Sequence, residues 1–128
     1  MNPTEDHLDV LQNIEFAVVE IWRKHPEMTN YTVMRAYDAA IAHYRALDQG
    51  QTPKPINLTG LDVEVFGAVK EMCEWRLGRA GDPQPPEMTP LATEDLVACL
   101  RKLRKSVDHW TKAGGRQGYL QLLDKYVR

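Results

Sequence analysis

The sequence has few of the residues that covalent catalysis or redox chemistry requires. It contains two cysteines, Cys73 and Cys99, with no CxxC pair, and one serine, Ser106, with no GxSxG around it. The spacing therefore indicates neither a zinc ribbon, nor a dithiol redox centre, nor a serine nucleophile. Because both cysteines lie on or beside predicted apolar stripes, we expect buried, reduced thiols in a cytosolic protein.

Metal-binding patterns are also missing. No histidine or carboxylate precedes any of the four histidines by three residues, and there is no HExxH sequence. Glu71 and Glu74 share a helix face, but Glu94 and Asp95 do not supply the second ExxD-type pair of an all-α pyrophosphatase, so we predict a solvated face. We expect no cofactor, no metal and no enzymatic activity.

No apolar run approaches the length of a membrane span, and no lysine or arginine precedes Arg23. The second absence argues against a secretory signal and against a basic transit peptide. We therefore expect a cytoplasmic protein without a membrane partner. The 128 residues are typical of one domain, 1–128, which can bury about two-thirds of its unfolded surface.

Three segments contain a tryptophan, then cations, then glycine or proline; they begin at Trp22, Trp75 and Trp110. Each is typical of the last turn of a helix, where cations favour the negative end of the dipole and Gly or Pro stops the helix. Apolar residues recur at three- and four-residue steps along the chain. The pattern predicts an all-α compact bundle of four amphipathic helices, with a short fifth C-terminal helix docked on it.

The predicted helices are Glu5–Lys24, Tyr31–Asp48, Leu61–Arg79, a fourth from Pro90 or Thr93 to Lys112, and Arg116–Val127. Thr4 and Thr59 are the predicted N-caps of the first and third. The short link after Lys24 predicts that the second helix lies antiparallel beside the first. If the directions alternate, Trp22 and Trp75 share one end of the bundle, and Trp110 lies in the core at the other end.

Four side chains fall outside this pattern. Phe16, Val63 and Leu77 lie off the apolar stripes and are candidates for a second contact surface. Arg76 lies on the stripe of the third helix, where a guanidinium needs a partner or water. Because a long stem near a helix end reaches water easily, we expect it to cover apolar surface with a solvated charge. The alternatives are a buried carboxylate partner and a bound anion.

The net charge of −2 is unevenly distributed. Residues 1–48 carry −4, residues 49–90 carry −2 and residues 91–128 carry +4. Four cations on the predicted fourth helix face away from its leucine stripe: Arg101, Lys102, Arg104 and Lys105. No aromatic residues lie among them and the whole chain is acidic, so we favour pairing with acidic neighbours over contacts with nucleic-acid phosphates.

The run from Trp110 to Leu120 combines glycines with cations. Backbone N–H groups at a helix start, together with an arginine, can bind an anion. A glycine helix cap with close helix packing is the alternative, which we favour. No strand precedes the run, so it is neither a P-loop nor a dinucleotide motif. The candidate anion-site residues are Lys112, Gly114, Gly115, Arg116 and Gly118.

Two stretches, VKEMCEWRLGR from Val69 to Arg79 and WTKAGGRQGYL from Trp110 to Leu120, resemble a family of small uncharacterised bacterial proteins. The resemblance covers most of the chain, in the order N-terminal helices, first stretch, Pro-rich link and second stretch. It implies no activity, ligand or catalytic residue, only an intracellular bacterial protein.

The leading functional hypothesis is a non-enzymatic interaction or assembly protein, expected to form a homodimer. Its basis is the uniformly amphipathic helices and the lack of a catalytic constellation. Binding of a small anionic ligand by the glycine run is the first alternative, and weak nucleic-acid binding by the fourth helix is the second. The candidate interaction-surface residues are Phe16, Arg101, Arg104, Lys105 and Tyr119.

Overall fold

The structure, a computed structural model, describes residues 8–79 and 90–112, with side chains from Val10 to Asp108 within those ranges. These residues form four α-helices and no strand: α1 (Leu8–Lys24), α2 (Asn30–Asp48), α3 (Leu61–Arg76) and α4 (Thr93–Lys112). The predicted all-α bundle is confirmed. The predicted fifth helix, the N-cap at Thr4 and the burial of Trp110 lie outside the described part.

Glycines end α2 and α3 by the same arrangement. In α3, Gly78 has φ +75°, its N–H donates to the Trp75 carbonyl at 3.1 Å, and the Arg79 N–H donates to the Glu74 carbonyl at 2.9 Å. This Schellman motif needs a left-handed residue directly after the cap, which favours glycine. The helix therefore stops at Arg76, and the predicted end at Arg79 is wrong.

Helix α3 begins at Leu61, as predicted, but its N-cap differs from the prediction. Gly60, with φ +58°, is the N-cap residue, and no side chain caps the helix. Thr59 lies one residue further out, and its carbonyl accepts a bond from the Asp62 N–H at 3.2 Å. The left-handed backbone of Gly60 sets the entry into α3, so the capping role predicted for Thr59 is wrong.

The directions of the helices do not alternate. The guanidinium of Arg35 lies 2.7 Å from Asp62, which joins the second turn of α2 to the first turn of α3. The Tyr44 hydroxyl lies 2.7 Å from Glu74, which joins their later turns. Helices α2 and α3 therefore run parallel. A link of residues 49–60 makes this possible, because twelve extended residues reach about 40 Å, whereas the 19 residues of α2 span about 28 Å.

Further contacts define the direction of α1 and the packing partners of α1 and α4. His25 at the end of α1 lies 3.7 Å from Glu64 at the start of α3, so α1 is antiparallel to α3. Helix α4 packs mainly on α2, and α1 packs mainly on α3. Helices α1 and α2 are antiparallel, as predicted, but the expectation that they pack side by side is wrong. A short link restrains only the two helix ends that it joins, and α3 occupies the position beside α1.

The core contains the apolar residues that the helical pattern selects. Its largest fully buried side chains are Trp22, Tyr37, Tyr44, Ile14, Leu96 and Leu100. Cys73 and Cys99 are buried free thiols, as predicted, and burial raises the pKa of the Cys73 thiol. Phe16 and Val63 are exposed, as predicted. The prediction that Leu77 belongs to a second contact surface is wrong, because Leu77 packs against the core.

Arg76 is also buried, with 5% of its surface exposed, so the expected solvated guanidinium is wrong. The guanidinium carbon lies 5.9 Å from the centroid of the Trp75 ring, within the range of a cation–π contact. The Leu91 N–H donates to the Arg76 carbonyl at 2.8 Å, and Leu91 is itself buried. The segment that leads into α4 therefore lies against the end of α3, where the Arg76 side chain is buried.

Candidate ligand-binding groove

A groove lies where the returning link of residues 49–60 passes over α2 and meets α3. It consists of two adjoining clefts, each with a volume of about 370 Å³. Both clefts share His43 of α2 and the segment Lys54–Ile56 of the link. We call this feature the His43 groove; its further lining residues are Ala39, Ala42, Ala46, Gln51, Thr52, Pro53, Phe66 and Lys70.

Small side chains on α2 make room for the groove. Ala39, Ala42 and Ala46 recur at three- and four-residue steps and therefore share one face of the helix. The sequence suggests that the alanines of this helix serve close packing between helices. The structure gives that role to the buried Ala36 and Ala40, whereas the other three face the link.

The link forms the opposite wall. Pro53 and Pro55 fix two backbone φ angles on either side of Lys54 and favour an extended course. Glycines with positive φ stand at its two ends: Gly50 at +71° and Gly60 at +58°. The prolines thus restrict the backbone around Lys54, which lines both clefts of the groove.

His43 lies at the centre, where the local charges are mainly positive. Its ring packs edge-on against Tyr44, with centroids 4.8 Å apart and an interplanar angle of 80°. Burial lowers the pKa of His43, Lys70 and Arg79 lower it further, and Glu74 acts in the opposite direction. The net direction is downward, so the imidazole is neutral at neutral pH and can both donate and accept a hydrogen bond.

Glu74 is the acidic group beside the groove, and its oxygens are already engaged. Its carboxylate accepts a hydrogen bond from the Tyr44 hydroxyl at 2.7 Å and lies 3.7 Å from the Arg79 guanidinium. The solvated face predicted for Glu71 and Glu74 therefore holds only for Glu71, which is exposed. Because the charges of Arg79 and Glu74 compensate each other, Lys54 and Lys70 determine the charge of the groove.

Neither Lys54 nor Lys70 forms an ion pair within the part of the chain that the structure describes. Lys70 is half-buried in α3 and Lys54 is exposed on the link. Sequence reasoning missed both lysines and His43. The available signal was a lysine between two prolines that directly follows a helix with an alanine face.

The residues predicted for an anion site are not placed in this groove. Lys112 ends α4, but its side chain is not described, and Gly114, Gly115, Arg116, Gly118 and Tyr119 lie outside the described residues. Whether they form a site therefore stays a prediction.

The predicted interaction surface is placed in part. Arg104 is 2.8 Å from Asp38 of α2 and 3.2 Å from Asp108, which is the pairing with acidic neighbours that we favoured. Arg101, Lys105 and Phe16 are exposed. These positions lie on α1 and α4, apart from the residues that line the His43 groove.

Comparison with protein-family models, with curated proteins and with solved structures finds no match for this chain. Within residues 8–79 and 90–112, no group of three His, Cys, Asp or Glu side chains is arranged to hold a metal ion. None of the four described helices combines the length and the apolar character that a membrane crossing requires. The His43 groove is thus the candidate site on which we base a function.

Proposed function

We propose that the protein is a non-enzymatic binding protein for a small anionic ligand that occupies the His43 groove. The observation that carries this proposal is the presence of Lys54 and Lys70, which form no ion pair within the described residues, beside an apolar groove. The cleft volumes of about 370 Å³ fall within the roughly 300–1,000 Å³ of small-molecule sites.

The electrostatics of the groove support an anion. Lys70 and Arg79 lower the pKa of His43 and Glu74 raises it, and because Arg79 is paired with Glu74, the uncompensated charge near His43 is that of Lys70. A carboxylate or phosphate oxygen at this place would accept charge-assisted hydrogen bonds from the lysines, which are stronger than hydrogen bonds between neutral groups. The imidazole can donate a further hydrogen bond. The groove therefore offers donors from α2, from the link and from α3.

A thermal-shift screen at low ionic strength tests this function, with inorganic phosphate, acetate, citrate, benzoate and nucleoside monophosphates as probes. At a concentration 100 times its Kd, a ligand that binds only the folded state stabilises it by about 2.7 kcal/mol. Lys70→Gln and Lys54→Gln should each weaken the response. Lys105→Gln, on the exposed face of α4, is the matched control and should leave it unchanged.

Two results would overturn the proposal. One is that no probe stabilises the wild-type chain at millimolar concentration. The other is that Lys54→Gln and Lys70→Gln respond like the Lys105→Gln control, because the anion would then bind elsewhere.

We propose as a second candidate that the chain assembles as a homodimer. Its support is the exposure of three large apolar side chains: Phe16 at 40%, Tyr31 at 64% and Val63 at 49%. Single exposed apolar residues are common in monomers, so sedimentation equilibrium at micromolar concentration decides the matter. A dimer that dissociates in Phe16→Ser or Val63→Ser supports assembly, and a monomer at all concentrations rules it out.

We also propose a bacterial cytoplasmic location. Its supports are the two buried thiols, Cys73 and Cys99, which form no disulfide, and the resemblance of Val69–Arg79 and Trp110–Leu120 to small bacterial proteins. A reducing compartment keeps such thiols intact.

A further inference from the structure

The walls of the His43 groove are mainly apolar, and its charge is small. Alanine side chains of α2 form one wall, and Pro53, Pro55 and Ile56 of the link form the other. Phe66 of α3 lines one of the two clefts, one helical turn before Lys70. A ligand with only charged and polar atoms would leave most of this lining without a complementary partner.

Only two lysines among the lining residues carry a full positive charge. The lining residues of α2 lie in its second half, where the helix dipole presents its negative end. Those of α3 lie beyond its first turn, which begins at Leu61, so the N–H groups of that helix start do not reach the groove. The carboxylate of Glu74 also lies close enough to act on His43. This environment suits one or two negative charges and disfavours a polyphosphate.

We infer that the ligand is an apolar acid, in which one carboxylate is attached to an aromatic ring or a short aliphatic chain. This inference rests on the proposed function and specifies its ligand class. The carboxylate binds the ammonium groups of Lys54 and Lys70, and the apolar body lies against Phe66, Ile56 and the alanine face of α2. The two clefts accommodate a body of one or two rings, which fills one cleft or extends into the next.

Isothermal titration with four matched probes tests the ligand class. 2-Naphthoate has both charge and apolar body, 2-naphthamide has the body alone, acetate has the charge alone, and ATP has a polyanionic tail. Burial of two methylene equivalents already corresponds to roughly a tenfold change in affinity. We therefore expect 2-naphthoate to bind at least about tenfold more tightly than each of the other three.

Two variants then separate the parts of the site. Lys70→Gln should reduce the affinity for 2-naphthoate toward that for 2-naphthamide, because only the charge contact is lost. Ala42→Leu should fill part of the groove and weaken 2-naphthoate by about tenfold or more while leaving acetate unchanged. Ala42 is exposed, and an unchanged melting temperature without ligand shows that the variant folds.

The outcomes distinguish the two levels of the proposal. If acetate or ATP binds as tightly as 2-naphthoate and Lys70→Gln abolishes that binding, the anion-binding function stands and the apolar-acid inference fails. If 2-naphthamide binds as well as 2-naphthoate, the groove selects apolar bodies without charge and both proposals fail. Absence of binding by all four probes also overturns both.

Discussion

Replacement of Glu15 by glutamine should stabilise the protein above neutral pH. Glu15 lies on α1 one helical turn from Leu11, Val18 and Val19, which are all buried. Its side chain is only partly accessible to water, and burial raises the pKa of its carboxyl from 4.5 to about 7. An ionised carboxylate at this position is therefore costly, whereas a neutral side chain of the same shape is tolerated.

The sign and size of this stability change follow from the linkage between proton binding and folding. Because the folded pKa is raised, the folded chain holds the Glu15 proton at pH values where the unfolded chain has lost it, so stability falls as pH rises through this range. The difference between 4.5 and about 7, at about 1.36 kcal/mol per pKa unit, corresponds to about 3 kcal/mol. The loss of stability caused by Glu15 is small below pH 4.5, grows between pH 4.5 and 7, and is constant above pH 7.

Urea unfolding of wild type and Glu15→Gln at several pH values between 4 and 8.5 measures this penalty. The variant should match the wild type near pH 4 and exceed it by up to about 3 kcal/mol at pH 8.5. Glu20→Gln, on the same helix with 62% of its side chain exposed, should differ from the wild type by no more than about 0.5 kcal/mol. A Glu15→Gln advantage that does not grow with pH would refute the reasoning.

Three further substitutions and one chemical probe test other features. Gly60→Ala should destabilise the protein by about 1–2 kcal/mol, because the φ angle of Gly60 is +58° while no neighbouring atom crowds a Cβ. Gly67→Ala is the contrasting substitution, because Gly67 lies in an exposed turn of α3 with open space around it. It should stabilise the protein by about 0.5–1 kcal/mol. Equal effects of Gly60→Ala and Gly67→Ala on the free energy of unfolding, measured in urea, would contradict the explanation from the positive φ angle of Gly60. Tyr44→Phe should cost about 1–3 kcal/mol, because Glu74 loses a hydrogen-bond donor at 2.7 Å; a neutral substitution would refute that bond. Cys73 is buried with a raised pKa, so native protein should not release thionitrobenzoate from Ellman's reagent at that thiol, and rapid native labelling would contradict its burial.

The sequence predicts the helices well because their signals are local. Apolar spacing identifies each helix, and Gly50 and Gly78 stop α2 and α3 through backbone geometry that lies within a few residues. Even the misplaced end of α3 follows from a local rule, since a Schellman motif places the last helical residue two positions before its glycine. Applied to Gly78, this rule gives Arg76.

The directions of the helices could not be predicted in this way. An amphipathic stripe looks the same whether a helix runs up or down, and the link of residues 49–60 is long enough for either arrangement. The parallel course of α2 and α3 depends on pairs that are far apart in sequence, such as Arg35 with Asp62. The His43 groove depends on the same choice, because only a link that returns along α2 brings Lys54 to His43.

The position of Lys54 and Lys70 beside an apolar groove strengthens the argument for an external anion. Arg35 and Arg104 each form an ion pair with a carboxylate of another helix, and Arg79 forms one with Glu74. These contacts tie segments of the bundle together. Lys54 and Lys70 instead line a cleft, and the nearby carboxylate of Glu74 already binds Arg79 and the Tyr44 hydroxyl. Removing a structural cation should lower stability without ligand, whereas removing a groove lysine should change binding alone.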